Sequence, residues 1–344
     1  MNLTEALVMF AWSSGLVVAC GVVLARCADR ISDLTGLGRL LVGSILLAGA
    51  TSLPELTVDV AAARQGAPDL ALGGIIGSSL FNILILAVLG LIVRRANLFT
   101  RDGEVHTLTA TLSIMLTAMA GTALILPRLL NVGHDEYPHL LDADYGTWAI
   151  LLLYLGGVRM SWQEQKEIAA VAASAPEAAA PEAIPHRGRK LALALLAFSG
   201  CAAVILFTGS YVASSADALA ELTGLGETFV GTTLIALSTS LPELASTAAA
   251  LRMGSVDLAM GNIFGSNTFN MILLLPVDMA YSGSIMSAAT PTHALTCLFT
   301  ITVTALVVMG LVYRAKKRVH LIEPDSGAVI VLTVAALYLL YILK

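Results

Sequence analysis

The chain has 344 residues, 57% of them hydrophobic and 12% charged, with a formal net charge of −5 and a mean hydropathy of +0.84. A soluble domain carries about twice that charged fraction, so a globular enzyme with a large aqueous core is excluded. Apolar runs near the roughly 20 residues needed to cross a bilayer recur throughout, which reads as an all-α polytopic membrane protein with the lipid bilayer as a partner; no nucleic-acid partner is expected.

The pattern predicts ten spans, near residues 6–25, 38–63, 70–93, 105–127, 145–160, 191–212, 227–251, 256–280, 292–313 and 327–343. Glu5 is the only charge before Arg26, which argues against a cleaved signal peptide and makes 6–25 the first span. The second span contains Thr51-Ser52-Leu53-Pro54-Glu55-Leu56, a carboxylate beside a proline where a membrane helix should be unbroken and uncharged. The third carries Gly77-Ser78-Ser79-Leu80-Phe81-Asn82. The fifth is short and can begin earlier, near Leu140. The acids ahead of it, Asp135, Glu136, Asp142 and Asp144, read as a solvated loop, with weak attraction of external cations as the alternative. Residues 161–190 are rich in Ala, Pro and Glu and end in Arg187, Arg189 and Lys190. They read as a flexible linker between a first five-helix half at 1–160 and a second at 191–344. Cys20, Cys27, Cys201 and Cys297 show neither metal-ligand spacing nor a disulfide framework and read as small buried hydrophobes.

The halves are copies of one another. Residues 34–86 slide onto 222–274 at an offset of 188 without a gap, and 29 of the 53 positions match. The six residues at 51–56 recur as Thr239-Ser240-Leu241-Pro242-Glu243-Leu244, and 77–82 as Gly265-Ser266-Asn267-Thr268-Phe269-Asn270. Polar positions match too, so shared hydrophobicity is not the cause. Five spans per half make the copies enter the membrane in opposite directions. Inverted repeats with proline-broken helices at matched positions point to a binding site at the membrane midplane. With the N-terminus outside, 16 of the 19 basic residues fall on the cytoplasmic side, as the positive-inside bias requires. The linker is then cytoplasmic and both termini are outside.

Pro54 has no N–H and displaces the carbonyl four residues before it, so carbonyls around Ala48 to Thr51 can turn toward a ligand. Pro242 does the same around Ala236 to Thr239. Glu55 and Glu243 each cost roughly 2.5–3.5 kcal/mol at a helix centre if ionised and unpaired, and no Lys or Arg lies deep in a span to pair with them. Either both stay protonated and hydrogen-bonded, or a bound cation compensates them. Carboxylates, Thr and Ser hydroxyls, carbonyls and Asn side chains are hard oxygen donors that suit Ca²⁺ or Na⁺ and not soft transition metals. Ser78 and Asn82 share a helix face, as do Ser266 and Asn270. Such residues are also common interhelical glue, but their duplication beside the break favours coordination. Gly43 and Gly231 read as packing positions. Asp59, one turn beyond Glu55, has Thr247 as its repeat mate. It lines the outward approach, holds a second cation or reaches water at a boundary. Asp69 and Asp257 read as helix-start residues that cap or offset the dipole.

The paired Thr-Ser-Leu-Pro-Glu segments, with Gly-Ser-Ser-Leu-Phe-Asn and Gly-Ser-Asn-Thr-Phe-Asn, resemble the α-repeats of the cation/Ca²⁺ antiporter superfamily, most closely its prokaryotic Na⁺/Ca²⁺ exchanger branch. The likeness covers about 100 of the 344 residues strongly, and the ten-span layout agrees with it elsewhere. It implies that helices 2, 3, 7 and 8 enclose the ions while helices 1 and 6 slide across them. It implies Ca²⁺ at Glu55 and Glu243 with the carbonyls of Thr51 and Thr239, and Na⁺ positions built from Ala48, Ser52, Ser78, Ala236, Ser240 and Ser266. Asn82 and Asn270 would face the centre. Some exchangers of this branch carry Asp where this chain has Asn270, so its site holds two formal negative charges, matched to one Ca²⁺.

These readings describe an antiporter exchanging Na⁺ for Ca²⁺ by alternating access in a bacterial inner membrane, functional as a monomer. Ca²⁺ and Na⁺ are its substrates and it needs no cofactor. The alternative is an H⁺/divalent cation antiporter on the same scaffold. An intramembrane enzyme is disfavoured, since Asp59 has no aspartate partner and His106 and His293 have no recognisable nucleophile. A channel stays open on sequence.

Overall fold

The computed structural model describes residues 2–92, 104–130, 139–174, 185–223, 237–313 and 324–342. Helix α1 spans Leu3–Thr35, α2 Arg39–Thr51, α3 Leu53–Arg64, α4 Pro68–Ile92 and α5 Glu104–Leu129. A two-residue ribbon of β1 (His139–Leu140) and β2 (Ala143–Asp144) precedes α6 (Tyr145–Ser174). Then follow α7 (Arg187–Thr223), α8 (Leu241–Arg252), α9 (Val256–Ala280), the short α10 (Ile285–Ala288), α11 (Thr292–Tyr313) and α12 (Pro324–Ile342). Among the described residues six helices are long and apolar enough to span a membrane, and the bent pair α2–α3 makes a seventh. Helices α6, α8 with the turn before it, and α12 complete a ten-span architecture of two inverted five-helix repeats.

Local chemistry sets the helix ends. Asn2 caps α1 by accepting the Glu5 N–H at 2.8 Å, while Glu5 accepts the Asn2 N–H at 3.0 Å, so α1 starts ahead of the expected residue 6. Gly36 ends it with a left-handed φ of 77°, which only glycine adopts freely. Helix α6 continues to Ser174, past the expected end of the fifth span, and α7 begins at Arg187. The linker expected over 161–190 is therefore helical at both ends. The reason is local: residues 163–173 are rich in Glu, Gln, Lys and Ala, all strong helix formers. Residues 175–184 lie outside the described residues.

Two apolar clusters show the inversion directly. On α4, apolar residues within 71–76 belong to one cluster and those within 80–89 to the other. On α9 the order reverses, with residues within 258–264 in the second and those within 271–277 in the first. On both helices the polar motif, Ser78 to Asn82 and Ser266 to Asn270, sits where one cluster gives way to the other. A polar layer thus crosses the middle of an otherwise apolar bundle.

Close backbone contacts hold this layer. A Cβ on Gly43 would stand 2.7 Å from the Leu258 carbonyl oxygen, and one on Gly261 would stand 2.6 Å from that of Leu40. Gly43 is thus a packing residue, at the crossing of α2 and α9; Gly231 lies outside the described residues. Residues 42–47 of α2 form a π-helical stretch at this crossing, a distortion common at functional sites. The two layers of the bundle are also tied at each end. His106 Nε2 of α5 lies 3.1 Å from Asp257 Oδ1 of α9, and His293 Nε2 of α11 lies 3.0 Å from Asp69 Oδ1 of α4. Asp69 also accepts the Thr290 N–H at 2.6 Å. The two aspartates do sit in the first turns of their helices, but their side chains bind histidines of the opposite half instead of capping.

Of the acids ahead of α6, Asp144 differs from a solvated loop. Asp144 is buried and accepts the Ser284 hydroxyl at 2.7 Å, while its N–H donates to Asp278 at 2.7 Å. Asp142 is exposed, and Asp135 and Glu136 lie outside the described residues. All four cysteines are free; Cys20 and Cys297 are buried, Cys27 and Cys201 half-buried.

The glycine crossing gives a direct test. Gly261→Val should lower stability in detergent by about 1–3 kcal/mol, because backbone atoms cannot yield to the added carbons. Gly15→Ala, with nothing within 4 Å of the added carbon, should not lower it. Thermal unfolding of the purified variants measures both.

Candidate functional site

The site forms where the two proline-broken helices meet the two Ser/Asn helices. Helices α2 and α3 meet at 44°, with Ser52 between them at φ −85° and ψ 11°. Ser240 takes almost the same conformation, φ −81° and ψ 5°, so the repeated sequence folds into a repeated break. At the first break the Ser52 N–H donates to the Ala48 carbonyl at 3.0 Å, and Leu56 N–H to Ser52 at 3.3 Å. Pro54 has no N–H for the Ala50 carbonyl, and the ladder passes over Thr51 as well. The Ala48 carbonyl, by contrast, is engaged, since it also accepts the Thr51 hydroxyl at 3.2 Å.

Each break is pressed by a glycine from the other half. A Cβ on Gly209 of α7 would stand 2.5 Å from Pro54 Cβ, and one on Gly21 of α1 would stand 3.1 Å from the Pro242 carbonyl oxygen. Gly21 and Gly209 are themselves 188 residues apart. The repeat offset extends upstream to them, so sequence carries a signal for this pair that the 34–86 match alone does not reach.

The expected residues converge. Thr51, Ser52, Glu55, Ser78, Asn82, Thr239, Ser240, Glu243, Ser266, Asn270 and Ala48 are all buried; Ala236 lies outside the described residues. Contacts cross between halves. Ser52 donates to Glu243 Oε1 at 3.2 Å, and Ser266 donates to the same oxygen at 3.5 Å. Thr51 Oγ1 lies 3.4 Å from Ser266 Oγ and donates to Asn262 Oδ1 at 3.4 Å. Asn82 Nδ2 donates to Asn267 Oδ1 at 3.0 Å, Asn267 Nδ2 to the Ser79 carbonyl at 3.0 Å, and Asn270 Nδ2 to Ser79 Oγ at 3.5 Å. Asn262, Asn267 and Ser79 do not stand out in the sequence, because their repeat mates differ in type and they carry no charge.

These amide contacts consume N–H groups and leave oxygens. Among the described residues, several buried side-chain polar atoms lack a hydrogen-bond partner. Seven of them belong to this site: both oxygens of Glu55, Glu243 Oε2, Ser78 Oγ, Ser240 Oγ, Asn82 Oδ1 and Asn270 Oδ1. A buried polar atom without a partner costs about 1–3 kcal/mol, and a charged one more, so such atoms are rare unless something else satisfies them. Every one of the seven can donate a lone pair, and five cannot donate a proton unless a carboxyl is protonated. The arrangement is a set of buried oxygens from both halves whose donor chemistry suits a hard cation.

Comparison with known proteins agrees with this architecture. The family model described as "Sodium/calcium exchanger protein" matches residues 5–156 and again 193–344. The Escherichia coli inner membrane protein YrbG is 30% identical over 261 residues, 76% of this chain and 75% of that protein. The sodium/calcium exchanger MaX1 of Methanosarcina acetivorans is 26% identical, over 73% of this chain and 75% of its own. Similarity also extends to the Ca²⁺/H⁺ antiporter ChaA of Bacillus subtilis, at 21% identity over 78% and 75% of the two chains. In fold, the chain is similar to a solved structure of the sodium-calcium exchanger NCX_Mj, with a TM-score of 0.70 and 17% identity over 98% of this chain and 99% of that one. With both halves matched and a break-and-oxygen site in each, the chain belongs to the sodium/calcium exchanger protein family of integral membrane antiporters and is a transporter, not an enzyme.

Proposed function

We propose that the chain exchanges Na⁺ for Ca²⁺ by alternating access, with Glu55 and Glu243 holding one Ca²⁺ between the halves. The observation that carries this reading is the set of seven unpartnered buried oxygens drawn from both repeats. Two carboxylates at this depth repel one another and have no basic partner in the cavity. One divalent cation neutralises both at once, and the carbonyls of Thr51 and Thr239 with the Asn82 and Asn270 oxygens fill out the six to eight ligands Ca²⁺ prefers. Ser52, Ser78, Ser240 and Ser266, with the carbonyl of Ala236, supply the weaker oxygens that suit Na⁺; the Ala48 carbonyl, expected among them, already accepts two hydrogen bonds.

Competition for the same carboxylates couples the ions. An empty cavity leaves two buried charges exposed to each other, so the halves rock only when cations screen them. Gly21 and Gly209, seated on the two proline breaks, give α1 and α7 smooth surfaces to move across the site. The charge distribution of the loops favours termini on the outer face and the 161–190 segment in the cytoplasm of a bacterial inner membrane, with the monomer as the working unit.

A second reading, H⁺ for Ca²⁺ exchange, draws on one specific feature. Asn82 and Asn270 are neutral, so the cage offers only two carboxylates to several Na⁺, while each glutamate can carry one proton. The hydroxyl-rich segments favour Na⁺, which accepts the lone pairs of the Ser78 and Ser240 oxygens.

Ca²⁺ uptake into proteoliposomes, with Na⁺ and H⁺ gradients imposed separately, distinguishes the readings. Uptake is expected under the Na⁺ gradient; uptake under the pH gradient alone would favour the second reading, and none under either would refute both. Glu55→Gln and Glu243→Gln should each reduce flux by roughly 100- to 1,000-fold or more, since removing one partner of a buried ionic contact costs about 3–5 kcal/mol. Ser52→Ala should weaken apparent Ca²⁺ affinity by a smaller factor, roughly 5-fold, because it removes a single hydroxyl donor from Glu243.

A further inference from the structure

We propose that Asp59 is a proton-binding station one helical turn beyond the glutamate pair, present in the first half and absent from the second. The inference rests on the antiporter reading above and deepens it. In the second half α8 and α9 meet in two successive layers. Ser266 donates to Glu243 at 3.5 Å, and one turn on, Asn262 Nδ2 donates to Thr247 Oγ1 at 2.9 Å and to Ser246 Oγ at 3.0 Å. The corresponding residues of the first half are Ser78 with Glu55, then Gly74 with Asp59 and Val58. The register is kept: the Asp59 carboxylate lies against Gly74, where an added Cβ would overlap Asp59 Oδ1 and stand 2.9 Å from its Cγ. What changes is the chemistry. The second half fills this layer with a neutral, hydrogen-bonded Asn-Thr-Ser set, whereas the first half puts a carboxylate where neither Gly74 nor Val58 has a side-chain donor.

Asp59 is 2% exposed and its Oδ2 has no partner. Among the described residues no charged group on the helices around it is paired with it, and Arg64 at the end of its own helix is exposed. On its own helix the nearest is Glu55, a like charge one turn away. On α4, Asp69 is bound to Thr290 and His293. On α9, Asp278 accepts from Asp144, Thr147 and Ile285, and Asp257 lies beside His106. On α2, Arg39 is paired with Asp29 and Asp33. On α7, Tyr211 is exposed, and Arg187, Arg189 and Lys190 lie at the far end of the helix. Among the described residues no Lys, Arg or His pairs with Asp59, and Gly74 and Val58 bring no side-chain oxygen beside it. A metal ion needs several oxygens; a proton needs one. A carboxylate buried without a donor carries an uncompensated charge, and a single proton neutralises it with no further ligand. Asp59 then exchanges its proton as cations enter or leave beside Glu55.

The test compares wild type, Asp59→Asn, and the pair Asp59→Thr with Gly74→Asn, which installs the second half's layer. Half-saturating Ca²⁺ for uptake is measured against pH on the side where α3 ends. One competing proton changes apparent affinity by up to about tenfold per pH unit, so both variants should lose about one proton from the wild-type slope. An unchanged slope in either variant overturns the inference and leaves the antiporter reading intact. Absence of Ca²⁺ uptake by the wild type under either gradient overturns both. Should the variants not transport, proton release on Ca²⁺ binding to the purified proteins, from calorimetry in two buffers, decides: about one proton fewer supports the inference, and equal release overturns it.

Discussion

Two carboxylates buried at the middle of a membrane protein, with no basic side chain among the described residues to meet them, are the constraint on which the rest of this structure depends. An ionised group at that depth is tolerated only with a partner or in a cavity. The chain answers by surrounding Glu55 and Glu243 with lone pairs in place of positive charge. Prolines remove N–H groups from the breaks, the amides of Asn82, Asn267 and Asn270 turn their N–H groups toward one another and Ser79, and the oxygens of Asn82 and Asn270 are left over. A site built this way is short of positive charge in its covalent parts, and only a mobile cation can supply it.

Duplication explains how such a site is assembled, and its departures from symmetry explain its polarity. The breaks at Ser52 and Ser240 are nearly superimposable in backbone angle, and each rests on a glycine of the opposite half. The hydroxyls are not used equally. Ser52 and Ser266 both turn to Glu243, while their repeat mates Ser240 and Ser78 are left unpartnered beside an unpartnered Glu55. The second glutamate thus takes two serine hydroxyls that the first lacks. Asp59 adds a further carboxylate to the first half alone. The His106–Asp257 and His293–Asp69 contacts restore symmetry at the periphery, fixing each cage helix to the outer layer.

Much of this is legible in the sequence, for reasons particular to the residues. Proline and glutamate violate the rules of a membrane span, so Thr51 to Leu56 and its copy stand out, and the repeat offset places Ser78, Asn82, Ser266 and Asn270 with them. What escapes is of two kinds. Residues whose repeat mates differ, such as Asn262 opposite Gly74 and Asn267 opposite Ser79, give no signal in an internal alignment, although they supply the hydrogen bonds that orient the site. Contacts between distant segments are also invisible. Nothing local tells that Asp69 meets His293 across 224 residues, and the first-turn position of each aspartate suggests a cap instead. The helical ends of the 161–190 segment are easily misread because its composition suits both a linker and an exposed helix.

The central claim is that both glutamates share one divalent cation. Equilibrium binding of radioactive Ca²⁺ to the purified wild type, Glu55→Gln, Glu243→Gln and the double variant tests it directly. One Ca²⁺ per chain is expected in the wild type, with loss of most affinity in either single variant and little further loss in the double, because groups that act on one ligand are not additive. Two Ca²⁺ per chain, or single-variant effects that simply add, would contradict it.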